Sequence, residues 1–68
     1  MIRLRVKEIA ESKGISRTML SRRAEVNYDT INGIWRNPQR EVSLKVLLRI
    51  AKALEVPVTS LYEEVPDT

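Results

Sequence analysis

The 68-residue sequence contains no cysteine and no histidine. Disulfides, thiol chemistry and nearly all zinc sites are thereby excluded, as is catalysis by a Cys–His or Ser–His–Asp arrangement. The acidic residues are scattered, and nothing in the sequence resembles a glycine-rich phosphate-binding loop. We therefore expect a protein that is not an enzyme and that needs neither a metal ion nor another cofactor.

Long hydrophobic runs are also missing. No apolar stretch approaches the roughly 20 residues that a membrane-spanning helix requires, and the N-terminus lacks the pattern of a signal peptide. We expect a soluble, cytoplasmic protein without a membrane partner. A chain of this length predicts one domain, residues 1–68, near the lower size limit for folding without disulfides or metals.

The positive charge is unevenly distributed. Residues 1–54 contain all 12 Lys and Arg but only five of the nine acids. Their net charge is therefore +7, and that of residues 55–68 is −4. A basic body with an acidic tail, residues 63–68, indicates an anionic partner for the body. Charges that only keep the surface solvated are the alternative.

Apolar periodicity predicts five helical segments. Gly14 is expected to end the first helix, and Ser16, Asn27 and Ser43 are typical N-caps for the next three. The predicted segments are residues 6–13, 17–24, 28–35, 44–54 and 58–62. In the fourth, a broad apolar stripe is expected to face the core: Leu44, Leu47, Leu48, Ala51 and Leu54.

The N-terminal IRLRV alternates apolar and basic residues with the period of a β-strand. It could pair with the C-terminal LYEEV, within one chain or between two. Such pairing would set Glu63 and Glu64 against Arg3 and Arg5. Termini without strands are the alternative.

Two short helices separated by about three residues, the second opening on polar residues, form a helix-turn-helix pattern over residues 17–35. The sequence GISRTMLSRRAEVNYDTINGIWRNPQREVSLKVLLRIAKALEVPVTSLY resembles the lambda-repressor-like (Cro/C1-type) helix-turn-helix family. The resemblance extends over about residues 6–62, and SLKVLLRIAKALEV is its most specific part. It implies an all-α, compact domain of four or five helices whose third helix enters the major groove of double-stranded DNA.

By this resemblance, the start of the third helix supplies base contacts: Asn27, Tyr28, Asp29 and Asn32. Asn32 can make a bidentate contact with adenine, and Asp29 can accept from a cytosine amino group. The structural alternatives are an N-cap role for Asn27 and a helix-dipole role for Asp29.

Phosphate contacts are expected from helix N-termini and from the loop after the third helix. The candidates are Arg17, Thr18, Thr30, Arg36, Asn37, Arg40, Ser43 and Lys45. Affinity for DNA would then come from these flanking groups, and sequence specificity from the third helix. Residues 24–35, which include that helix, contain no Lys or Arg.

The sequence departs from the family pattern at several positions. Glu25 lies in the turn, where Gly is common because one residue often needs positive φ. Ala10 and Trp35 replace a partly buried ion pair, so we predict that Trp35 packs against Ala10; stacking of Trp35 on a base or on a partner protein is the alternative. Gly33, beside Asn32, either lets the helix approach DNA more closely or relaxes the end of a short helix.

The resemblance implies a bacterial or phage transcription regulator, expected to be a repressor. Binding as a homodimer to an approximately palindromic operator would place half-sites about one helical turn apart. The candidates for an exposed apolar dimer surface are Leu4, Leu61, Tyr62 and Val65. A protein-interaction module such as an antitoxin, and a non-specific DNA-binding protein, are the alternatives; no small-molecule ligand is evident.

Overall fold

The computed structural model describes residues 2–66. Its elements are β1 (Ile2–Leu4), α1 (Val6–Ser12), α2 (Arg17–Ala24), α3 (Tyr28–Arg36), α4 (Leu44–Leu54), a 3-10 helix (Val58–Leu61) and β2 (Tyr62–Glu64). The predicted helical fold with short terminal strands is confirmed. Asp67, the last acid of the tail, lies outside the described residues. Across residues 2–66, no helix is both long enough and apolar enough to cross a membrane.

Polar N-caps start three of the four α-helices. The side-chain oxygens of Ser16, Asn27 and Ser43 accept backbone N–H groups two or three positions later, at 2.8–3.2 Å. Each bond satisfies a donor that the helix itself leaves unpaired, worth about 1 kcal/mol. These predicted helix starts are confirmed, and they fix where α2 and α3 begin.

Left-handed residues end α1, α2 and α4. Gly14, Glu25 and Glu55 have φ values of 70°, 55° and 59°. The residue after each donates its backbone N–H to a carbonyl five positions earlier, which closes the helix end. The positive φ expected for Glu25 is confirmed, and Glu55 repeats the same geometry at the end of α4.

Replacing Glu25 by Gly is expected to stabilise the fold by about 1 kcal/mol, because a Cβ makes the left-handed region costly. Chemical denaturation measures the change. Glu11→Gly is the matched control: Glu11 lies inside α1, so the same substitution should cost about 1 kcal/mol there. Equal destabilisation by both variants would contradict strain at Glu25.

The core lies where the four helices meet. Helix α2 packs against α3 and α4, and α1 also contacts α3 and α4. The largest side chains that are fully buried are apolar: Val6, Leu20, Ile31, Ile34, Ile50, Leu54 and Leu61. Trp35 is half-buried against this core, and Ala10 is completely buried within it. Their direct contact stays a prediction.

The predicted apolar stripe of α4 is wrong in part. Leu44 and Leu48 are 64% and 50% exposed, whereas Ile50, Ala51 and Leu54 are buried. Apolar residues surround much of this helix, so periodicity alone selects no single inward face. Contacts with α2 and the 3-10 helix select the face that contains Ile50.

The termini pair within one chain. Strands β1 and β2 are antiparallel, with Arg3 opposite Glu63 and Ile2 opposite Glu64. Arg3 Nη1 donates to Glu63 Oε1 at 2.8 Å; this bond and the nearby Glu8 raise the pKa of Arg3. The predicted pairing and the Arg3–Glu63 contact are confirmed. The prediction that Arg5 faces Glu64 is wrong, because the register places Ile2 there.

Two candidates for an exposed dimer surface are instead core residues. Leu4 and Leu61 are 4% and 0% exposed, and both belong to the hydrophobic core. The Arg5 backbone N–H donates to the Leu61 carbonyl at 2.6 Å, which joins the N-terminal segment to the 3-10 helix. Of the four candidates, Tyr62 is exposed and Val65 is half-buried.

Candidate nucleic-acid interface

The turn between α2 and α3 is held by two side chains. The Ser21 hydroxyl donates to the Val26 carbonyl at 2.6 Å. Arg49 Nη1, from α4, donates to the Glu25 carbonyl at 3.3 Å. Both bonds satisfy carbonyls that a turn would otherwise leave to water, and they help to fix the angle at which α3 leaves the turn. No local sequence signal indicated either contact.

Helix α3 has an inner and an outer face. Ile31 and Ile34 are buried in the core, whereas Tyr28 and Asp29 are exposed at its start and Asn32 is half-buried one turn further. Residues four apart share a helix face, so Tyr28 and Asn32 lie one above the other. Together with the N-cap Asn27, the four candidate base contacts therefore form one polar surface.

An arginine from α2 reaches this surface. Arg17 Nη1 donates to Asn32 Oδ1 at 2.7 Å. The partners are the first residue of α2 and a residue in the middle of α3, 15 positions apart. The sequence predicted both residues as DNA contacts but did not predict their bond, because apolar periodicity does not indicate the direction of a long polar side chain.

A second arginine approaches α3 from the following loop. A Cβ added to Gly33 would overlap the guanidinium of Arg40, with Cζ 3.0 Å away. Gly33 therefore leaves the space that the Arg40 side chain occupies. Although α3 has no cation before its last residue, Arg36, guanidinium groups from both sides extend to its middle.

Gly33→Ala is expected to stabilise the fold by about 1 kcal/mol through helix propensity, because the atom that must move is the far end of a flexible side chain. The same variant is expected to weaken DNA binding by displacing Arg40. Thermal unfolding and anisotropy titration measure the two effects. In an Arg40→Ala background the loss of affinity should disappear; a loss that persists would assign Gly33 to direct contact with DNA.

The remaining candidate contacts lie in α2, in α3, in the loop after α3 and at the start of α4. Thr18, Arg36, Asn37, Arg40 and Lys45 are exposed, and Thr30 is half-buried. Ser43 is exposed and accepts from the Val46 N–H as the N-cap of α4. Asn37 Oδ1 accepts the Gln39 N–H within the loop. Each side chain retains a polar group at the surface, and none is buried in the core.

Over residues 2–66, no group of three or more His, Cys, Asp or Glu could hold a metal ion. Within the same residues, no side-chain polar atom is buried without a hydrogen-bond partner. The surface is suited to bind through hydrogen bonds and positive charge.

Comparisons with known proteins agree with this arrangement. The family model of the Cro/C1-type HTH DNA-binding domain matches residues 5–67. Among solved structures, the restriction-modification controller protein C.AhdI from Aeromonas hydrophila is similar, with a TM-score of 0.74 and 29% identity over 81% of this chain and 82% of that chain. A search of curated protein sequences found no significant match.

The family match extends across the helix-turn-helix, the turn after α3 and helix α4. It therefore includes every side chain that forms the polar surface described above. The fold, the polar start of α3 and the surrounding cations agree with that match. This chain belongs to the Cro/C1-type helix-turn-helix family of DNA-binding transcription regulators.

Proposed function

We propose that the protein is a sequence-specific regulator that inserts α3 into the major groove of double-stranded DNA. The observation that carries this proposal is the polar outer surface of α3, bordered by the Arg17 and Arg40 side chains. The major groove admits one α-helix and displays a distinct donor and acceptor pattern for each base pair. A polar helix face with cations at its edges suits that groove.

Base contacts are assigned to the first half of α3. Asn32 is the central one, because Arg17 donates to it and Arg40 reaches its neighbour Gly33. Asp29 accepts from a cytosine amino group, since its charge would repel phosphates. Tyr28, 42% exposed, contacts a thymine methyl or a phosphate. Asn27 uses Oδ1 as the helix cap and keeps its amide N–H donors for DNA.

Phosphate contacts are assigned to groups around α3. Helix N-termini bind anions because their first N–H groups are unpaired and the dipole is positive there. Thr18 near the start of α2 and Ser43 and Lys45 at the start of α4 occupy such positions. The other assigned contacts come from α3 and the loop after it: Thr30, Arg36, Asn37 and Arg40.

A second copy of the chain is the proposed partner on DNA. An open groove of about 520 Å³ is lined in part by Ile2, Leu44, Leu47 and Tyr62. Exposed apolar side chains border it, since Ile2 is 48% and Tyr62 37% exposed. Leu48 lies one turn beyond Leu44 on the same side of α4. This apolar face keeps Tyr62 from the predicted dimer surface, and the buried Leu4 also lines the groove, whereas Leu61 is completely buried.

The charges at this groove favour a second copy as the occupant. Arg40 and Glu41 both line it, so a two-fold contact can set the cation of each protomer against the anion of the other. Arg40 also reaches Gly33 on α3, which makes the apolar face continuous with the DNA-binding surface. A two-fold dimer through this face would present two α3 helices to neighbouring major grooves, and hence to an approximately palindromic site.

Repression is the proposed outcome of binding. Occupation of an operator can exclude the transcription machinery without further contacts, whereas activation needs a surface that engages it. The likeness to a restriction-modification controller protein supports a regulatory role. We place this activity in the cytoplasm, where the DNA of a bacterial host lies.

Selection from random duplex DNA at about 50 mM and about 200 mM salt tests the proposal, because phosphate contacts alone give a steep salt dependence without sequence preference. The expected result is an enriched inverted repeat that is retained at the higher salt. Binding with a steep salt slope and no enriched motif would instead support a non-specific DNA-binding protein. Absence of binding at both salts would favour a protein-interaction module such as an antitoxin.

A further inference from the structure

The bond between Arg17 and Asn32 limits what Asn32 can recognise. Arg17 Nη1 lies 2.7 Å from Asn32 Oδ1, so the only acceptor of this amide faces a cation. The two donors of its NH₂ group remain for a ligand. Adenine readout needs both an acceptor, for the N6 amino group, and a donor, for N7. With its acceptor occupied by Arg17, Asn32 is less suited to the bidentate adenine contact that the sequence predicted for it.

Guanine fits the pair better. A carbonyl oxygen can accept a second hydrogen bond, but the guanidinium also brings its other N–H donors to this position. The adenine N6 amino group is itself a donor, so it would face the guanidinium donors without forming a hydrogen bond. Guanine instead presents two acceptors in the major groove, O6 and N7, and hydrogen bonds from a charged donor are stronger than those from a neutral one.

We propose that Arg17 and Asn32 act as one donor unit that reads a guanine, with Arg17 as a specificity-determining residue and not a phosphate contact. The inference rests on the proposed insertion of α3 into the major groove. Both side chains are already joined in the free protein, so the unit is pre-organised. Less side-chain entropy is lost on binding than if each had to be ordered separately.

A double-mutant cycle tests the inference. Arg17→Ala, Asn32→Ala and the double variant are titrated by anisotropy against the selected duplex and against duplexes that replace each base pair in turn. On the selected duplex, which carries guanine at the base pair read by the two residues, Arg17→Ala is expected to weaken binding by about tenfold or more. In the Asn32→Ala background the same change should cost about threefold or less, because paired residues couple. At that base pair, Arg17→Ala should also shift the preference from guanine towards adenine.

Two further variants separate this unit from a phosphate contact. Arg17→Lys keeps the charge but loses the planar donor fork, so it should keep the salt slope and reduce the guanine preference without abolishing it, since Lys can also donate to guanine. Arg36→Ala removes an exposed cation outside the pair and should weaken all duplexes alike. Circular dichroism verifies that each variant is folded, as expected because Arg17 is exposed and Asn32 is outside the core.

Uniform weakening of all duplexes by Arg17→Ala, additive with Asn32→Ala, would overturn the inference and return Arg17 to the phosphate contacts. In that case the wild-type protein would still prefer particular bases, so the proposed function would stand. If the wild-type protein showed no preference at any base pair, the proposed function would fail first and the inference with it.

Discussion

Leu61→Ala is expected to destabilise the folded protein by about 2–5 kcal/mol, the range for removing most of a large side chain from a packed core. Leu61 is completely buried at the end of the 3-10 helix. Its carbonyl also holds the Arg5 N–H, so a loosened 3-10 helix would loosen the N-terminal segment too. At about 0.05–0.15 kcal/mol per residue, a chain of this size could lose most of its stability.

Chemical denaturation at two protein concentrations measures the effect. A core role predicts the same loss at both concentrations, because the side chain packs within one protomer. Tyr62→Ala is the control: Tyr62 is the next residue and 37% exposed, so its loss should be smaller. A Leu61→Ala effect below about 1 kcal/mol, or one that depends on concentration, would contradict the core assignment.

Leu48→Lys is expected to prevent dimerisation and to weaken operator binding by about 100-fold or more. Leu48 is 50% exposed, so in the monomer the charge of a lysine at this position remains in water. In the dimer the same charge would be buried in an apolar contact, which is unfavourable. In a dimer the second half-site binds intramolecularly, which strengthens binding by about 10²–10⁴. Losing this linkage should outweigh any gain from an added cation.

Sedimentation and anisotropy titration measure the two effects, and denaturation verifies that the variant folds. Met19→Lys is the matched control, since it adds the same charge at an apolar side chain that is 39% exposed. Met19 belongs to α2, not to the side of α4 that carries Leu44 and Leu48, and it does not line the groove. This variant should leave the oligomeric state unchanged. If Leu48→Lys remained dimeric and bound the operator normally, the α4 face would not be the interface.

The local structure was largely predictable, because its signals are local. Ser16, Asn27 and Ser43 each bond to N–H groups two or three residues away, so the helix starts follow from short stretches of sequence. Glu25 could be assigned a positive φ from its place in the turn. These features need no knowledge of the tertiary packing.

The predictions of burial were wrong where contacts between distant parts of the chain determine which side chains are covered. Leu48 and Ile50 are equally apolar, and only the packing of α4 against its neighbours turns Ile50 inward. The sequence allowed Leu61 both to close the core with Val56 and Val58 and to face a partner, because a one-turn helix does not indicate which of its sides is covered; Leu61 is completely buried. Hydrophobicity favours the burial of a side chain, but it does not show which apolar residues are buried or against what they pack.

The candidate site was predictable as a set of residues but not as an arrangement. The polar start of α3 and the cations around it could be identified from helix positions. The bond from Arg17 to Asn32 and the position of Arg40 over Gly33 depend on the directions of long, flexible side chains. Those two contacts are what turn a helix face without Lys or Arg into a cationic surface.

The outer face of α3 is proposed to contact the bases. Backbone amide NMR shifts, recorded while the selected duplex is titrated into the protein, test this proposal directly. The largest changes are expected at residues 27–33 and at the starts of α2 and α4, with small changes in α1. Large changes confined to the α4 face or the strands, with residues 27–33 unaffected, would contradict it.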